Sequence, residues 1–322
     1  MPDEHAVGGG ADRTAPADIR RNRIDTVLRH SPLQPAFRAF AAGRLAVLAY
    51  HGIDDPPAFA AQMARLARSA RPVSLARVEE SLRERRPLPP RSVLVTFDDG
   101  DRSLLTHGLP VLARHGIPAA AYVIAGHIGG DRPFWWSEAA HLVAHGGTAD
   151  ALPPGTAPEA AVRLLKQLPD RERRDRLDAL RGTASAPAPR QPQLTPADLR
   201  TLRRAGVAIG NHTLDHPCLD RCSAEDSAAQ VDRAHALLTD WLGEPPTSFA
   251  YPNGNLDPHA ERALTALGYR SGFLFDHRHD RRLPRRPLRI SRLRVNACTT
   301  LHRFDTILSG LHPAVHRLRG GR

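Results

Sequence analysis

Val93-Leu94-Val95-Thr96-Phe97-Asp98-Asp99-Gly100 joins a continuous apolar run to two adjacent carboxylates and a glycine. A run of this length, closed by a turn signal, has the pattern of a strand buried on both faces. Adjacent carboxylates repel each other unless a cation sits between them or one is protonated. A division of labour resolves the conflict: one carboxylate binds metal and the other stays free as a base. A surface Asp-Asp-Gly turn has the same composition, so the motif alone leaves both readings open.

Short apolar runs alternate with longer amphipathic ones on either side of this stretch. Residues 45–50, 119–124, 207–210, 249–251, 272–275 and 288–295 carry strand signals. Residues 59–70, 75–85, 104–115, 199–204, 223–242 and 258–267 carry helix signals, the last with Gly268 as its C-cap. Strands alternating with helices imply parallel pairing and an α/β sheet or barrel. In such folds the working residues follow the C-terminal ends of strands. Residues 152–193 break the rhythm: they are charged and proline-rich, with a low-complexity stretch at 183–192. They read as a surface excursion with a helix or two and then a flexible linker, a solvated insertion rather than a lid. There is no fixed-period repeat.

Three further motifs follow strand signals. Asn211-His212-Thr213-Leu214-Asp215-His216-Pro217 places two histidines four apart, a spacing that can reach one metal. Neutral imidazole with carboxylate suits Zn²⁺, and also Co²⁺ or Ni²⁺. A lone histidine is more often packed or solvated, but a pair at a strand end favours the metal. Cys218 and Cys222 stand beside it. No second cysteine pair completes a structural zinc site, and three cysteines make no disulfide framework, so they read as small buried residues. Phe249-Ala250-Tyr251-Pro252-Asn253-Gly254 makes a rigid turn whose backbone N–H groups could face a ligand. Tyr50-His51-Gly52 offers either a packed histidine or a general acid titrating near neutrality.

Composition bounds the partners. The 322 residues are 41% hydrophobic and 25% charged, an ordinary globular balance, and the formal net charge is +11. Lys166 is the sole lysine, so the rest of the 45 basic residues are arginine. Heavy use of Arg, Ala, Pro and Gly points to a GC-rich genome ahead of a nucleic-acid role, and no compact basic helix with interleaved aromatics is present. No stretch of ~18 apolar residues predicts a transmembrane helix. Residues 1–30 are polar, charged and Gly-rich, without the apolar core and cleavage site of a secretory signal. They read as a disordered lead-in. The expected location is therefore the cytoplasm, with peripheral attachment to a membrane surface as the variant that the charge allows. The Asn211-His212-Thr213 sequon carries no weight in that setting.

The order Asp98-Asp99, then His212/His216, then Tyr251 to Gly254 resembles the polysaccharide deacetylase family, the one with the NodB homology domain (carbohydrate esterase family 4). Thr-Phe-Asp-Asp-Gly matches that family's first motif and His-Thr-x-x-His-Pro its second. Phe-Ala-Tyr-Pro-x-Gly looks like the third-motif variant of one branch, which also opens on a Tyr-His strand like Val47-Leu48-Ala49-Tyr50-His51. Leu109-Pro110-Val111-Leu112 and Gly116-Ile117-Pro118-Ala119 resemble that branch's first helix and second strand. The resemblance runs from about residue 46 to 304. It implies a distorted (β/α) barrel at 41–310, with a helical, proline-rich insertion at about 150–193. Around it stand a disordered or helical extension at 1–40 and a basic tail at 311–322.

The resemblance also implies roles. Asp99, His212 and His216 match the ligands of a divalent metal, usually Zn²⁺, with a position left open for water and the acetyl carbonyl. Asp98 matches the base that deprotonates the attacking water. A backbone N–H near Tyr251 would help stabilise the oxyanion, with Asn253 and Gly254 in the same turn, and Thr213 would hold the histidine loop. Many relatives begin the third motif with an arginine that pairs with the catalytic Asp; here that arginine is missing, and Arg292 is the candidate replacement, with Arg289 next. The late Leu-x-His motif that supplies the general acid is not evident: His302 and His312 lack its setting, and His51 is the better candidate. Trp135-Trp136 reads as packing under the insertion ahead of stacking on a sugar.

The activity so implied is hydrolysis of an N-acetyl group on a GlcNAc-type saccharide, with release of acetate. Without an export signal, a cytoplasmic or membrane-surface intermediate, including a lipid-linked one, fits better than a mature extracellular polymer. O-deacetylation would use the same site. Hydrolysis of a cyclic amide, known in distant relatives, tends to go with lost metal ligands, and all three are present. A non-catalytic carbohydrate-binding relative would usually have lost the base or a ligand. Nucleic-acid binding ranks last.

Overall fold

The computed structural model describes Val27 and residues 30–318, so residues 1–26, the greater part of the expected 1–40 extension, lie outside the described residues, as do 319–322. Helix α1 (Gln34–Ala42) leads into β1 (Arg44–Tyr50). There follow α2 (Pro56–Ser69), β2 (Arg71–Pro72), α3 (Leu75–Glu84), β3 (Ser92–Phe97), α4 (Leu109–His115) and β4 (Ala119–Val123). An excursion carries α5 (Trp135–Ala144), α6 (Pro158–Leu165) and α7 (Asp170–Thr183). The alternation resumes with α8 (Pro196–Arg204), β5 (Val207–Asn211), α9 (Ala224–Leu242), β6 (Ser248–Ala250), α10 (Pro258–Ala266) and β7 (Ser271–Phe273). The chain closes with β8 (Asp280–Arg281), β9 (Leu293–Arg294), α11 (Leu301–Leu308) and α12 (Leu311–Leu318). Asp55, Ser74, Ser223, Asp257 and Thr300 each cap a helix by accepting an N–H three residues on, which is why the helices start where they do.

The strands form one curled sheet in the order β7-β6-β5-β4-β3-β1-β8, parallel except for β8. Ile290 bridges Phe273 while Leu293 and Arg294 pair with β1, so the segment 290–294 spans the gap between β7 and β1. The result is the distorted (β/α) barrel expected from the sequence. Side chains alternate across the pleat. Leu48, Val95, Ala121 and Ile209 pack outward under the helices, while Val47, Leu94, Tyr122, Phe273 and Ile290 fill the interior. Every residue of β3 is buried, as its uninterrupted apolar run required.

Helix α3 closes the N-terminal end of the strands and buries Glu79 there. Its carboxylate accepts from Thr247 Oγ1 (3.0 Å) and Ser271 Oγ (2.8 Å). Burial pushes the Glu79 carboxyl up, only partly offset by those hydroxyls and by Arg270. A folded-state pKa raised above the unfolded one gives stability that is full below the ordinary carboxylate range and lost as pH rises through the folded value. The Glu79→Gln protein is therefore expected to gain on wild type in melting temperature as pH is taken from about 4 to about 7. The hydroxyls can rotate to suit the amide. A difference between the two melting curves that does not vary with pH would contradict this account.

The excursion differs from the solvated insertion expected at 150–193. It begins earlier, at α5, and has a small core of its own in which Trp135 and Leu142 pack on Val162, Leu165, Leu177 and Leu180. Arg173 lies over the Trp135 ring at 4.4 Å and pairs with the buried Asp170. The first part of the expected basic tail is helical: α12 buries Leu311 and Pro313, and its His312 Nδ1 lies 3.0 Å from His277 Nε2. Among the described residues no helix is long and apolar enough to cross a membrane.

Candidate active site

The parallel register brings the motifs to one mouth. Pairing of Tyr50 with Phe97 and of Val123 with Asn211 sets the residues that follow β1, β3, β4 and β5 side by side at their C-terminal ends. Asn211 also pairs with Phe249, which adds the end of β6. Sharp reversals follow immediately. Asp99 (φ 69°), Thr213 (φ 70°), His216 (φ 52°) and Asn253 (φ 55°) all hold left-handed backbones, a conformation that is costly for a β-branched residue such as Thr213. Strain of this kind, gathered in three motifs, persists only where surrounding bonds over-determine it.

Those bonds are present. Thr213 N–H donates to Asn211 Oδ1 (2.7 Å), and Thr213 Oγ1 accepts from His216 N–H (3.0 Å). Gln230 of α9 accepts from the N–H groups of Leu214 and Asp215 and donates to the Asp215 carboxylate. Gly254 is required by its φ of 77° and by crowding, since a Cβ there would stand 2.4 Å from Phe275 N.

Asp99, His212 and His216 are buried together. Asp99 Oδ1 lies 3.4 Å from His212 Nε2 and 3.5 Å from His216 Nε2. The three residues offer donor atoms all within 4.8 Å of one another. Ligands around tetrahedral zinc, bound at about 2.0–2.1 Å, stand ~3.3 Å apart, so the spacing suits a shared cation. Asp99 Oδ1 is buried without a hydrogen-bond partner, an arrangement that is expensive unless a cation completes it. His212 Nδ1 lies 2.7 Å from the Ala250 carbonyl, which fixes the proton there and turns the Nε2 lone pair towards Asp99.

Asp98 faces the other way. Both its oxygens accept from Arg292, Oδ1 from Nη1 and Oδ2 from Nη2, each at 2.7 Å. Arg292 is fully buried, and its Nε donates to the Leu274 carbonyl at 2.7 Å. Burial alone would raise the Asp98 carboxyl, but the Arg292 guanidinium and then His212 outweigh it and hold it below the usual range. Burial likewise opposes ionisation of Asp99, and the surrounding histidines, His212 foremost, hold that carboxyl far below its ordinary value. The histidines diverge. Burial would lower His212, but Asp98 and Asp99 raise it; burial pushes His216 down, and Asp99 does not make up the difference.

The other expected site residues divide. His51 follows β1, lies edge-on to Phe275 with ring centres 5.4 Å apart, and its charge is felt by Asp98 and Asp99. Arg289 is not at the site; it forms a two-pronged pair with Glu261. Tyr251 is a core residue, buried against Phe249 with ring centres 5.0 Å apart, and its N–H donates to the Phe273 carbonyl (3.0 Å). The Gly254 and Asn255 N–H groups are also taken, by the carbonyls of Tyr251 and Pro252. An oxyanion role for the Tyr251 or Gly254 amide is thus not supported: the first is spent on β7 and the second within the turn. Asn253 Nδ2 donates to Cys218 Sγ (3.3 Å). Of the cysteines, Cys218 is buried and Cys298 exposed, so the expectation of three buried residues holds for one. Burial pushes the Cys218 thiol up to about 11.

Sequence reasoning missed Gln230, the Ala250 carbonyl and the Leu274 carbonyl. Backbone acceptors leave no mark in a sequence, and Gln230 is one polar residue in an amphipathic helix. Trp135 and Trp136 do more than pack under the excursion: Trp135 Nε1 donates to the His216 carbonyl (3.2 Å), and the Trp136 ring lies 4.8 Å from the His216 ring.

Comparison with known proteins agrees with this fold. The deacetylase PplD of Streptococcus pyogenes, in complex with acetate, superposes with a TM-score of 0.58 at 15% identity over 82% of this chain and 98% of that one. IcaB from Ammonifex degensii superposes with a TM-score of 0.57 at 22% identity over 83% and 96%. At such identities the likeness is one of fold. A poly-beta-1,6-N-acetyl-D-glucosamine N-deacetylase of Staphylococcus aureus (strain MSSA476) is 42% identical over 41 residues, a match that spans 13% of this chain and 14% of that protein. The family model for polysaccharide deacetylase matches residues 85–272, more than half the chain, from before β3 through β6 with their motifs and into β7, and on that match the chain belongs to the polysaccharide deacetylase family.

Proposed function

We propose that the protein hydrolyses N-acetyl groups on a GlcNAc-type saccharide, with Asp98 as base and Asp99, His212 and His216 as ligands of a divalent cation, Zn²⁺ or in its place Co²⁺ or Ni²⁺. The observation that carries the reading is the split of one Asp-Asp pair between a buried Arg292 clamp and a buried His-His pair. A cation held there supplies Lewis acidity, polarising a carbonyl and lowering the pKa of water. The residues do the rest. Arg292 keeps Asp98 ionised while leaving lone pairs on both of its oxygens, so the carboxylate can take the proton of the attacking water. The new C–O bond forms at the acyl carbon first, and the C–N bond of the amide then breaks. His51, across the mouth, gives the departing amine its proton. The products are acetate and a free amino sugar. Trp136, against the His216 ring, walls one side of the mouth. The short match to a poly-N-acetylglucosamine N-deacetylase supports amide over ester as the bond cleaved, and a polymer as the saccharide.

The test is acetate release from N-acetylglucosamine oligomers by protein stripped with chelator and then given Zn²⁺. Release is expected only after metal is restored, and Asp98→Asn should reduce it by on the order of 10²–10⁴-fold. Release from O-acetylated xylan but not from the oligomers would replace the amide reading with an esterase. Silence on both, with metal bound, would point to a carbohydrate-binding relative.

A further inference from the structure

At the other end of the sheet from Asp98 lies a groove of about 890 Å³ whose lining includes Phe40, Arg44, Arg85, Arg281, Arg282 and Arg285. Nearby acids are engaged elsewhere: Glu80 with Arg77, Glu84 with Arg83, and Glu261 with Arg289. Asp280, whose carboxyl feels the Arg44 charge, accepts from the backbone N–H groups of Arg281 and Ser291. Arg44 and Arg281 stand directly opposite each other in the antiparallel β1–β8 pair, where like charges destabilise. Arg85 ends α3 with a left-handed backbone (φ 54°), a place usually given to glycine. The sequence thus accepts two local penalties to keep guanidinium groups at this groove.

Helix α1 borders the groove; Phe37 is half-buried, but apolar side chains also stand on its outward side. Gln34 is buried, while Leu33 and Phe40, seven apart and so on one face, are 56% and 61% exposed. Arg44 lies over the Phe40 ring at 4.6 Å. Basic groups beside outward apolar side chains are the two signals that together hold a protein on an anionic bilayer. A soluble phosphate would need the first and not the second.

We propose that this face docks on an anionic phospholipid bilayer, the arginines on headgroup phosphates and Leu33 and Phe40 at the acyl boundary. The docking stands apart from the deacetylase reading. A corollary rests on that reading: β1 runs from Arg44 to Tyr50, about 20 Å, so the catalytic mouth opens away from the bilayer. The substrate then is a saccharide chain long enough to stand off the membrane, not a sugar joined directly to a lipid.

Full-length protein is sedimented with phosphatidylcholine vesicles, with and without phosphatidylglycerol, at low and high salt. Wild type is expected to pellet with the phosphatidylglycerol vesicles and to be released by salt. Each basic residue near such a surface strengthens binding about fivefold, so Arg281→Gln with Arg285→Gln should weaken it on the order of 25-fold. Acetate release from soluble oligomers should be unchanged. Removing one of two facing arginines should leave the melting temperature equal or higher; Phe40→Ser, on the exposed helix face, gives a second variant expected to weaken binding if the first is unstable. No vesicle binding, or equal binding by both variants and wild type, overturns the proposal. Full displacement from vesicles by inorganic pyrophosphate would assign the groove to a soluble phosphate compound. Binding to duplex DNA at the same salt, or a concentration-dependent dimer lost in Phe40→Ser, would replace the bilayer with nucleic acid or a second copy.

Discussion

Arg292→Met is expected to cost about 3–5 kcal/mol of stability, the usual price of stranding one member of a buried ion pair, and to remove activity at neutral pH. The side chain is fully buried, and it engages both oxygens of Asp98, the Thr96 hydroxyl and the Leu274 carbonyl. Methionine fills much of the volume but leaves all of those acceptors without a donor. Burial is the largest influence on the Asp98 carboxyl, and the arginine is the first of the groups opposing it. With the guanidinium gone, burial wins, the carboxyl rises and holds its proton, and the base is lost. Arg292→Lys should do little better, because a point charge cannot grip both oxygens as the planar fork does.

Stability and chemistry part company in the double variant. Asp98→Asn with Arg292→Met removes both charges, so its stability should recover towards wild type while acetate release stays absent. Residues coupled this closely depart from additivity by about 0.5–3 kcal/mol. Denaturant melts of the four proteins measure the coupling. If Arg292→Met alone unfolds within ~1 kcal/mol of wild type, the clamp is not what holds Asp98. A double variant no more stable than Arg292→Met would mean that the lost bonds to Leu274 and Thr96, rather than the ion pair, set the cost.

Arg292 also marks how far the sequence could be read. Asp98, Asp99, His212 and His216 were legible because each follows an apolar strand run in a chain of alternating strands and helices, and that topology puts strand ends together. Arg292 came from an absence, the missing arginine of the third motif. Its position could not follow from spacing, since segment 290–294 has few ladder bonds and its place between β7 and β1 depends on the whole curl of the sheet. The same applies to α5. Trp135 to Ala144 carries helix-forming residues, but its apolar face finds its partners in α6 and α7, which the sequence presents as charge and proline. The Tyr251 turn shows a related limit: a turn rich in Pro, Asn and Gly advertises backbone donors, and only the fold shows that those of Tyr251 and Gly254 are consumed, on β7 and within the turn.

Titrating Zn²⁺ into metal-stripped wild type should raise its melting temperature, and Asp99→Asn should abolish the rise. At free metal a hundred times the dissociation constant, the stabilisation is about 2.7 kcal/mol, a shift of several degrees. Asp99 is the decisive position because its Oδ1 is the atom both imidazoles approach, at 3.4 and 3.5 Å, and it has no other partner. An amide presents a weaker, uncharged oxygen and leaves two histidines, too few for a tight tetrahedral site. The measurement does not depend on turnover, so it separates metal binding from the choice of substrate. An equal rise in Asp99→Asn would move the metal elsewhere, and the histidines around His277 would be the next place to look. They are poorly suited to it: His277 Nδ1 accepts the Arg294 N–H at 3.0 Å and Nε2 is 3.0 Å from His312 Nδ1, so neither nitrogen of that ring is open to a cation. Burial, with His312 and His316 beside it, pushes the His277 ring down to about 2, which keeps it neutral and tied into the loop that carries Leu274 and Phe275. Among the described residues the grouped lone pairs that suit a cation are those of Asp99, His212 and His216.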